Sequence, residues 1–288
     1  MARRSPVTWL MPLGTIAQFM LPRWIVKHIA RFAGRLAYRL NRKQRERLHV
    51  NYRHILGPNA TERDVGRMAE RAFVRVVTNY LDLLRIPVLK KRVLTLIGGD
   101  DSPLAQTMEL GRGAIVVTAH IGNWDLAGAG LGALGYPVSA VVEPVPAGWS
   151  ATFNRYRGAT GLHTIPIPDR HAIHRALKDK RVLALVADRD FTGRGLACPS
   201  FDALRTFPRG PAAHSLKTGA PIVMGYVLFD DTPGRPPYRI HVEPPFDLEP
   251  TGNLDADIAS LTRKIAERIN AAIARFPDQW LVFRADWR

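Results

Sequence analysis

Two hydrophobic patterns divide the chain. Up to about residue 84, apolar residues recur at the three- and four-residue spacing of helices. This spacing predicts helices over about 23–41, about 43–55 and 61–84. Thr61 starts the third as N-cap, and Asp64, three residues on, stands where a capping box places its acid. Beyond residue 113 short β-rich runs take over. They are AIVVT (114–118), VSAVV (138–142), TIPI (164–167), VLALVA (182–187), PIVMGYVLF (221–229), YRIHVE (238–243) and WLVF (280–283). Helical periods lie between most of them, at 126–134, 171–177, 211–218 and 255–276. Such alternation predicts an α/β fold, with a central, mainly parallel mixed β-sheet flanked by helices. The turn-rich DDTPGRPP (230–237) makes YRIHVE the antiparallel partner of the run before it. No internal repeat or low-complexity linker is visible. The economical division is a basic amphipathic helical segment at 1–55 and an α/β domain at 56–288.

Charge sharpens the view of the first segment. The net charge is +16, and residues 1–53 hold twelve Lys and Arg against one acid, Glu46. Basic charge gathered at one end calls for an anionic partner, such as a membrane surface, a nucleic acid or an acidic substrate. Residues 5–22 carry no charge, but prolines and a glycine break them, so they read poorly as a transmembrane helix. Arg3 and Arg4 fit the start of a signal peptide, but no good cleavage site follows. From residue 23, Arg23, Lys27, Arg31, Arg35 and Arg39 form one stripe, while Trp24, Ile25, Ile29, Phe32, Leu36 and Leu40 supply an apolar face. Two readings share this pattern: a helix lying in a membrane interface, or a helix packing its apolar side on the core.

The candidate chemistry sits at VVTAHIGNWDLAG (116–128). In open α/β sheets functional groups gather beyond the carboxyl ends of strands, and His120 occupies such a place. Asn123 suits the N-cap of the next helix, which puts Asp125 in its first turn. A turn at Gly122 is expected to fold the imidazole back within hydrogen-bond reach of Asp125. A carboxylate on one ring nitrogen fixes the tautomer and leaves the other nitrogen as a general base. Backbone N–H groups of the turn are the candidate oxyanion donors. Arg157, Arg189 and Arg209 are candidates to meet substrate phosphates. Asp188 and Asp190 are expected to hold the loop after the 182–187 run, and Glu143 either lines the site or ends its strand. Trp124 reads as a packing residue. The single cysteine, Cys198, reads as inert and excludes an internal disulfide, and no metal-ligand cluster is visible.

HIGNWDLAG (120–128) resembles the histidine, four residues, Asp/Glu signature of the lysophospholipid acyltransferase superfamily. Its GNWD form is similar to the bacterial lipid A late acyltransferases and the phosphatidylinositol mannoside acyltransferases. FNRYRGATG (153–161), LVADRDFTGRG (185–195), FPRGPAAHSLKTGAPIV (207–223) and QWLVFRADW (279–287) resemble further blocks of that family in the same order. VVEP (141–144) and ADRD (187–190) lean toward the mannoside branch. One departure is FTGRGLACPSF (191–201), which lacks the acid and the double aromatic of that branch.

The resemblance implies transfer of a fatty acyl group from acyl-CoA or acyl carrier protein to a lipid hydroxyl, with no cofactor beyond that co-substrate. His120 is the implied base and Asp125 its orienting acid. Asn123, Arg157, Asp188, Arg189 and Arg209 are the implied substrate-binding residues. The implied setting is the cytoplasmic face of the bacterial plasma membrane, peripheral or monotopic, with an anionic membrane surface and a lipid acceptor as partners. A nucleic-acid-binding protein would explain the terminal charge, but neither the His120 block nor the missing aromatic platforms fit it, so no nucleic acid is expected. A non-catalytic lipid-binding scaffold would leave His120 and Asp125 without a task.

Overall fold

The structure, a computed structural model, describes residues 7–143 and 150–288. Arg3, Arg4 and Pro144 of the sequence reading lie outside the described residues. Four helices come first: α1 (Val7–Met20), α2 (Arg23–Leu40), α3 (Arg42–Leu56) and α4 (Glu62–Leu89). The uncharged stretch at the start thus forms a helix despite Pro12 within it. Thr61 and Asp64 make the expected capping box, and α4 runs past the predicted end to Leu89.

The second helix resolves the two readings of its pattern in an unexpected way. Its buried side chains are the small ones, Val26, Ala30 and Gly34. A Cβ on Gly34 would lie 2.5 Å from the Cα of Val74, so the backbones of α2 and α4 approach closely. The large apolar side chains are left out of that contact. Trp24, Ile29, Phe32, Leu36 and Leu40 stay exposed, Phe32 at 72%, as do Leu13, Ile16 and Met20 of α1. Among the described residues no helix is long and apolar enough to cross a membrane.

In α3, Leu48 and Tyr52 are buried against Val65, Ala69 and Phe73 of α4. Full burial of such side chains contributes about 1.5–3 kcal/mol each. The Tyr52 hydroxyl donates to the Trp280 carbonyl (3.0 Å), and Asn51 donates its amide to the Val282 carbonyl (2.8 Å). The helical start of the chain is therefore hydrogen-bonded to its end.

The second part builds the sheet. In chain order come β1 (Ile97–Gly98), α5 (Ser102–Glu109), β2 (Ala114–Thr118), α6 (Trp124–Leu134), β3 (Val138–Val142), α7 (Ser150–Arg157), β4 (His163–Pro166) and α8 (Arg170–Lys178). They are followed by β5 (Val182–Val186), β6 (Leu196–Ser200), β7 (Ala203–Phe207), α9 (Gly210–Thr218), β8 (Ile222–Phe229), β9 (Tyr238–Val242) and α10 (Leu254–Arg275). Seven strands form one sheet in the order β1-β9-β8-β2-β5-β3-β4. All neighbours are parallel except β8 and β9, the hairpin expected from DDTPGRPP. Alternate residues of β2 and β5 face opposite layers. Ile115, Val117, Leu183 and Leu185 join a core with α8, α9 and α10, while Val116 and Ala184 face the α5 and α6 side.

Two elements differ from expectation. WLVF (280–283) is not a strand: Trp280 makes only a single bridge to Ile121, and the chain is otherwise irregular there. The segment after Asp190 forms a separate two-stranded hairpin, β6 with β7, that the pattern did not announce. Pro199 and alternating exposed positions in β6 hide it from a search for hydrophobic runs.

Candidate active site

The register of two neighbouring strands creates the site. β2 and β5 pair in parallel with Thr118 opposite Val186. Two residues further along each chain stand His120 and Asp188, so both emerge at the same edge, side by side. The Ala187 N–H donates to the Thr118 carbonyl (2.8 Å), extending the alignment past the strand ends. The His120 Nδ1 lies 2.7 Å from Asp188 Oδ1, and the His120 backbone N–H donates to Asp188 Oδ2 (2.9 Å). An ionised carboxylate only accepts, so Nδ1 carries the proton and Nε2 keeps its lone pair. The His120 side chain is 14% exposed and Asp188 is fully buried.

This corrects the expected pair. Asp188 orients His120, and Asp125 does not. Asp125 sits in the first turn of α6 as expected, but its carboxylate accepts from Nε of Arg157 at 2.6 Å. Residues five apart across a turn need not meet, whereas strand register brings together residues far apart in sequence.

Asp188 is unusually well supported. Burial pushes its carboxyl upward, but the His120 imidazole, the Arg205 guanidinium and the Trp280 N–H outweigh that and hold it well below the usual carboxylate range. Trp280 Nε1 donates to Asp188 Oδ2 (2.8 Å). Arg205 is fully buried, donates to the Asp188 carbonyl (2.8 Å), and lies over the Trp280 ring at 4.6 Å. Sequence reasoning missed both residues. The only hint was the QWLVFRADW block around Trp280; nothing in ALRTF singles out Arg205.

The turn itself is rigid. Gly122 has φ +66°, and a Cβ there would lie 2.1 Å from the Val227 carbonyl oxygen, so only glycine fits. Asn79 of α4 donates to the Gly122 carbonyl (2.8 Å). Asn123 caps α6 by accepting from the Leu126 N–H (3.0 Å), while its amide faces the Tyr238 hydroxyl at 3.4 Å. At 1% exposure it holds the helix and has no open side for the substrate contact expected of it. Three of the expected oxyanion donors are also occupied. The amides of His120, Gly122 and Asn123 donate to Asp188, the Gln279 carbonyl and the Val227 carbonyl.

A cavity of about 800 Å³ opens at His120. Under α6 its floor is a row of strand residues in register, Val223, Val116, Ala184 and Ala140, beside Gly225. Arg157, Arg170, Arg189, Arg209 and Lys217 also line it, beside Asp125, Glu143 and Asp190. The part lined by strand residues is therefore apolar, and the charged lining carries more cations than acids. Arg189 meets Glu143 at 3.6 Å, and Glu143 Oε1 stands 4.0 Å from His120 Nε2. Arg209 is the residue before α9 and reaches the Asp255 carbonyl (3.4 Å). Asp190 holds its loop by accepting from the Thr192 and Gly195 amides. Trp124 meets the His120 ring edge-on at 5.1 Å. Cys198 is buried, and burial pushes its thiol up, away from the reactive thiolate. Among the described residues no three His, Cys, Asp or Glu side chains form a metal-holding group.

A carboxylate-held histidine base beside an apolar cavity suits an enzyme of acyl transfer. The chain belongs to the bacterial lipid A biosynthesis acyltransferase family, whose sequence model it matches over residues 2–288. It is 27% identical over 297 residues to a phosphatidylinositol mannoside acyltransferase of Mycobacterium tuberculosis strain H37Rv, covering 99% of this chain and 89% of that protein. A protein of the same description from Mycolicibacterium smegmatis is 28% identical over 194 residues, which is 65% of this chain and 61% of the relative's length.

Proposed function

We propose that this chain moves a fatty acyl group from an acyl-CoA or acyl carrier protein thioester to a hydroxyl of a glycolipid acceptor of the phosphatidylinositol mannoside class. The acceptor class is suggested by the phosphatidylinositol mannoside acyltransferases to which the chain is similar. The observation that carries the reaction is the His120–Asp188 pair at the cavity mouth. His120 Nε2 takes the acceptor's hydroxyl proton as the oxygen attacks the thioester carbonyl. Asp188 stabilises the imidazolium that forms. The tetrahedral intermediate then collapses, the carbon–sulfur bond breaks, and the imidazolium returns the proton to the departing thiolate. The apolar part of the cavity holds the acyl chain. Arg189 and Arg209 at the rim serve substrate phosphates, and Arg157 shapes the rim through its bond to Asp125.

The division into a membrane-associating segment, 1–55, and an acyltransferase domain, 56–288, describes membrane contact rather than independent folding. The exposed Trp24, Ile29, Phe32 and Met20 beside a stripe of arginines support a peripheral or monotopic attachment to anionic lipid. The cytoplasmic face of the bacterial plasma membrane is the setting where acyl thioesters and such lipids meet. Replacing His120 with Ala and following thiol release with acceptor lipid present tests the reaction. Loss of about a hundredfold or more is expected; turnover near the parent's in a folded variant removes His120 from the mechanism.

A further inference from the structure

A second pocket, of about 450 Å³, shares Arg189 with the catalytic cavity and is lined by Arg47, Arg189, Phe283 and Arg284. Its three guanidiniums come from three separate parts of the chain: α3, the segment after β5, and the C-terminal segment. No carboxylate lines it. Among the described residues neither Arg47 nor Arg284 has an ion-pair partner, and Arg47 reaches only the neutral Gln44. Arg189 has one acid, Glu143 at 3.6 Å, which also faces His120. The Arg189 Nε is buried and has no hydrogen-bond partner at all. Arg47 and Arg189 are partly withdrawn from water, so solvent screens their mutual repulsion less than it would on an open face. Three arginines lining one pocket with no carboxylate among its lining residues call for an anion.

We propose that this pocket binds a phosphate ester, and that the ester is the headgroup phosphodiester of the acceptor lipid. Forked guanidiniums match phosphate oxygens in pairs, which suits a pocket lined by three arginines. Arg189 lines this pocket and the catalytic cavity alike, so a phosphate held here is one side chain from the reacting hydroxyl. The acceptor is favoured over the donor because Arg47 belongs to the helical region that carries the exposed apolar side chains. Arg170 and Lys217, which line the catalytic cavity but not this pocket and carry no ion pair among the described residues, are left for the donor's phosphates. The acceptor assignment rests on the proposed acyl transfer, whereas the anion pocket does not.

The test is calorimetric titration of the full-length protein with glycerophosphoinositol, with and without saturating coenzyme A. Arg47→Gln/Arg284→Gln is compared with Arg284→Gln alone and with the parent, after equal unfolding midpoints show all three folded. The double variant should bind about tenfold or more weakly, and the single variant should fall between. Binding should persist with coenzyme A present and weaken in high salt. Undetectable binding by the parent, or equal binding by parent and double variant, overturns the pocket. Displacement by coenzyme A overturns the acceptor assignment. Arginine-dependent binding by a chain without acyl-transfer turnover would sink the proposed reaction and leave the pocket standing.

Discussion

Replacing Asp188 with Asn leaves the size and most hydrogen bonds of the site in place and removes one buried charge. The carboxylate lies 2.7 Å from His120 Nδ1. At an effective dielectric near 20, that separation gives about 6 kcal/mol of attraction to an imidazolium. Part of this is offset by the cost of burying the pair. An Asn can also turn its amide toward Nδ1, which would force the proton onto Nε2 and remove the base outright. A rate loss of about a thousandfold to ten-thousandfold follows, equivalent to about 4–5.5 kcal/mol. The assay is release of free thiol from an acyl thioester, with acceptor lipid present, under saturating donor. Thermal unfolding on the same preparation shows whether the fold survives. A folded Asp188→Asn enzyme within tenfold of the parent would refute the reasoning, because the imidazole would then not depend on that charge.

Three further outcomes follow. Asp125→Asn should cost only about tenfold, because it loosens Arg157 without touching the base; a loss equal to that of Asp188→Asn would return Asp125 to the mechanism. Gly225→Leu should shift the preferred thioester to shorter acyl chains, since its side chain would project over the cavity floor, where Val116 is the nearest neighbour at 3.4 Å; an unchanged chain-length profile would place the acyl chain elsewhere. Asp82 of α4 is buried against the Tyr238 hydroxyl, and burial raises its carboxyl above the usual range despite that hydrogen bond. A raised folded value means that stability is lost as pH climbs from about 4 through that value, because the ionised form is penalised in the fold. Asp82→Asn should therefore raise the unfolding midpoint at pH 7 by about 2–4 °C, with the gain fading toward pH 4; a gain that is the same at both pH values would mean that Asp82 is not the titrating group.

The parts of the site that were legible in the sequence are the local ones. Asn123 as a cap and Asp125 in the first helical turn depend only on neighbouring residues. The base His120 was marked by its place after a β-branched run. Its partner was not, because register between β2 and β5 is set by packing across a separation of 68 positions. A usable signal did exist: AIVVT and VLALV each carry their polar residue two places past the end, so equal register brings His120 and Asp188 together. Trp280 and Arg205 reach Asp188 with their side chains from segments that no spacing rule links to it. The α2 helix shows the same limit. Its apolar residues were visible, but that Val26, Ala30 and Gly34 rather than Trp24 and Phe32 would meet α4 depends on the shape of α4.

The central claim is that the chain joins a thioester's acyl group to a lipid hydroxyl by way of His120. Purified protein, palmitoyl-coenzyme A and phosphatidylinositol mannoside, followed by mass spectrometry of the extracted lipids, test it most directly. The account predicts an acceptor heavier by one ester-linked acyl group with the parent, and none above background with a folded His120→Ala variant. Acylated lipid formed equally by both proteins would contradict it, as would thioester consumption by the parent that yields only free fatty acid.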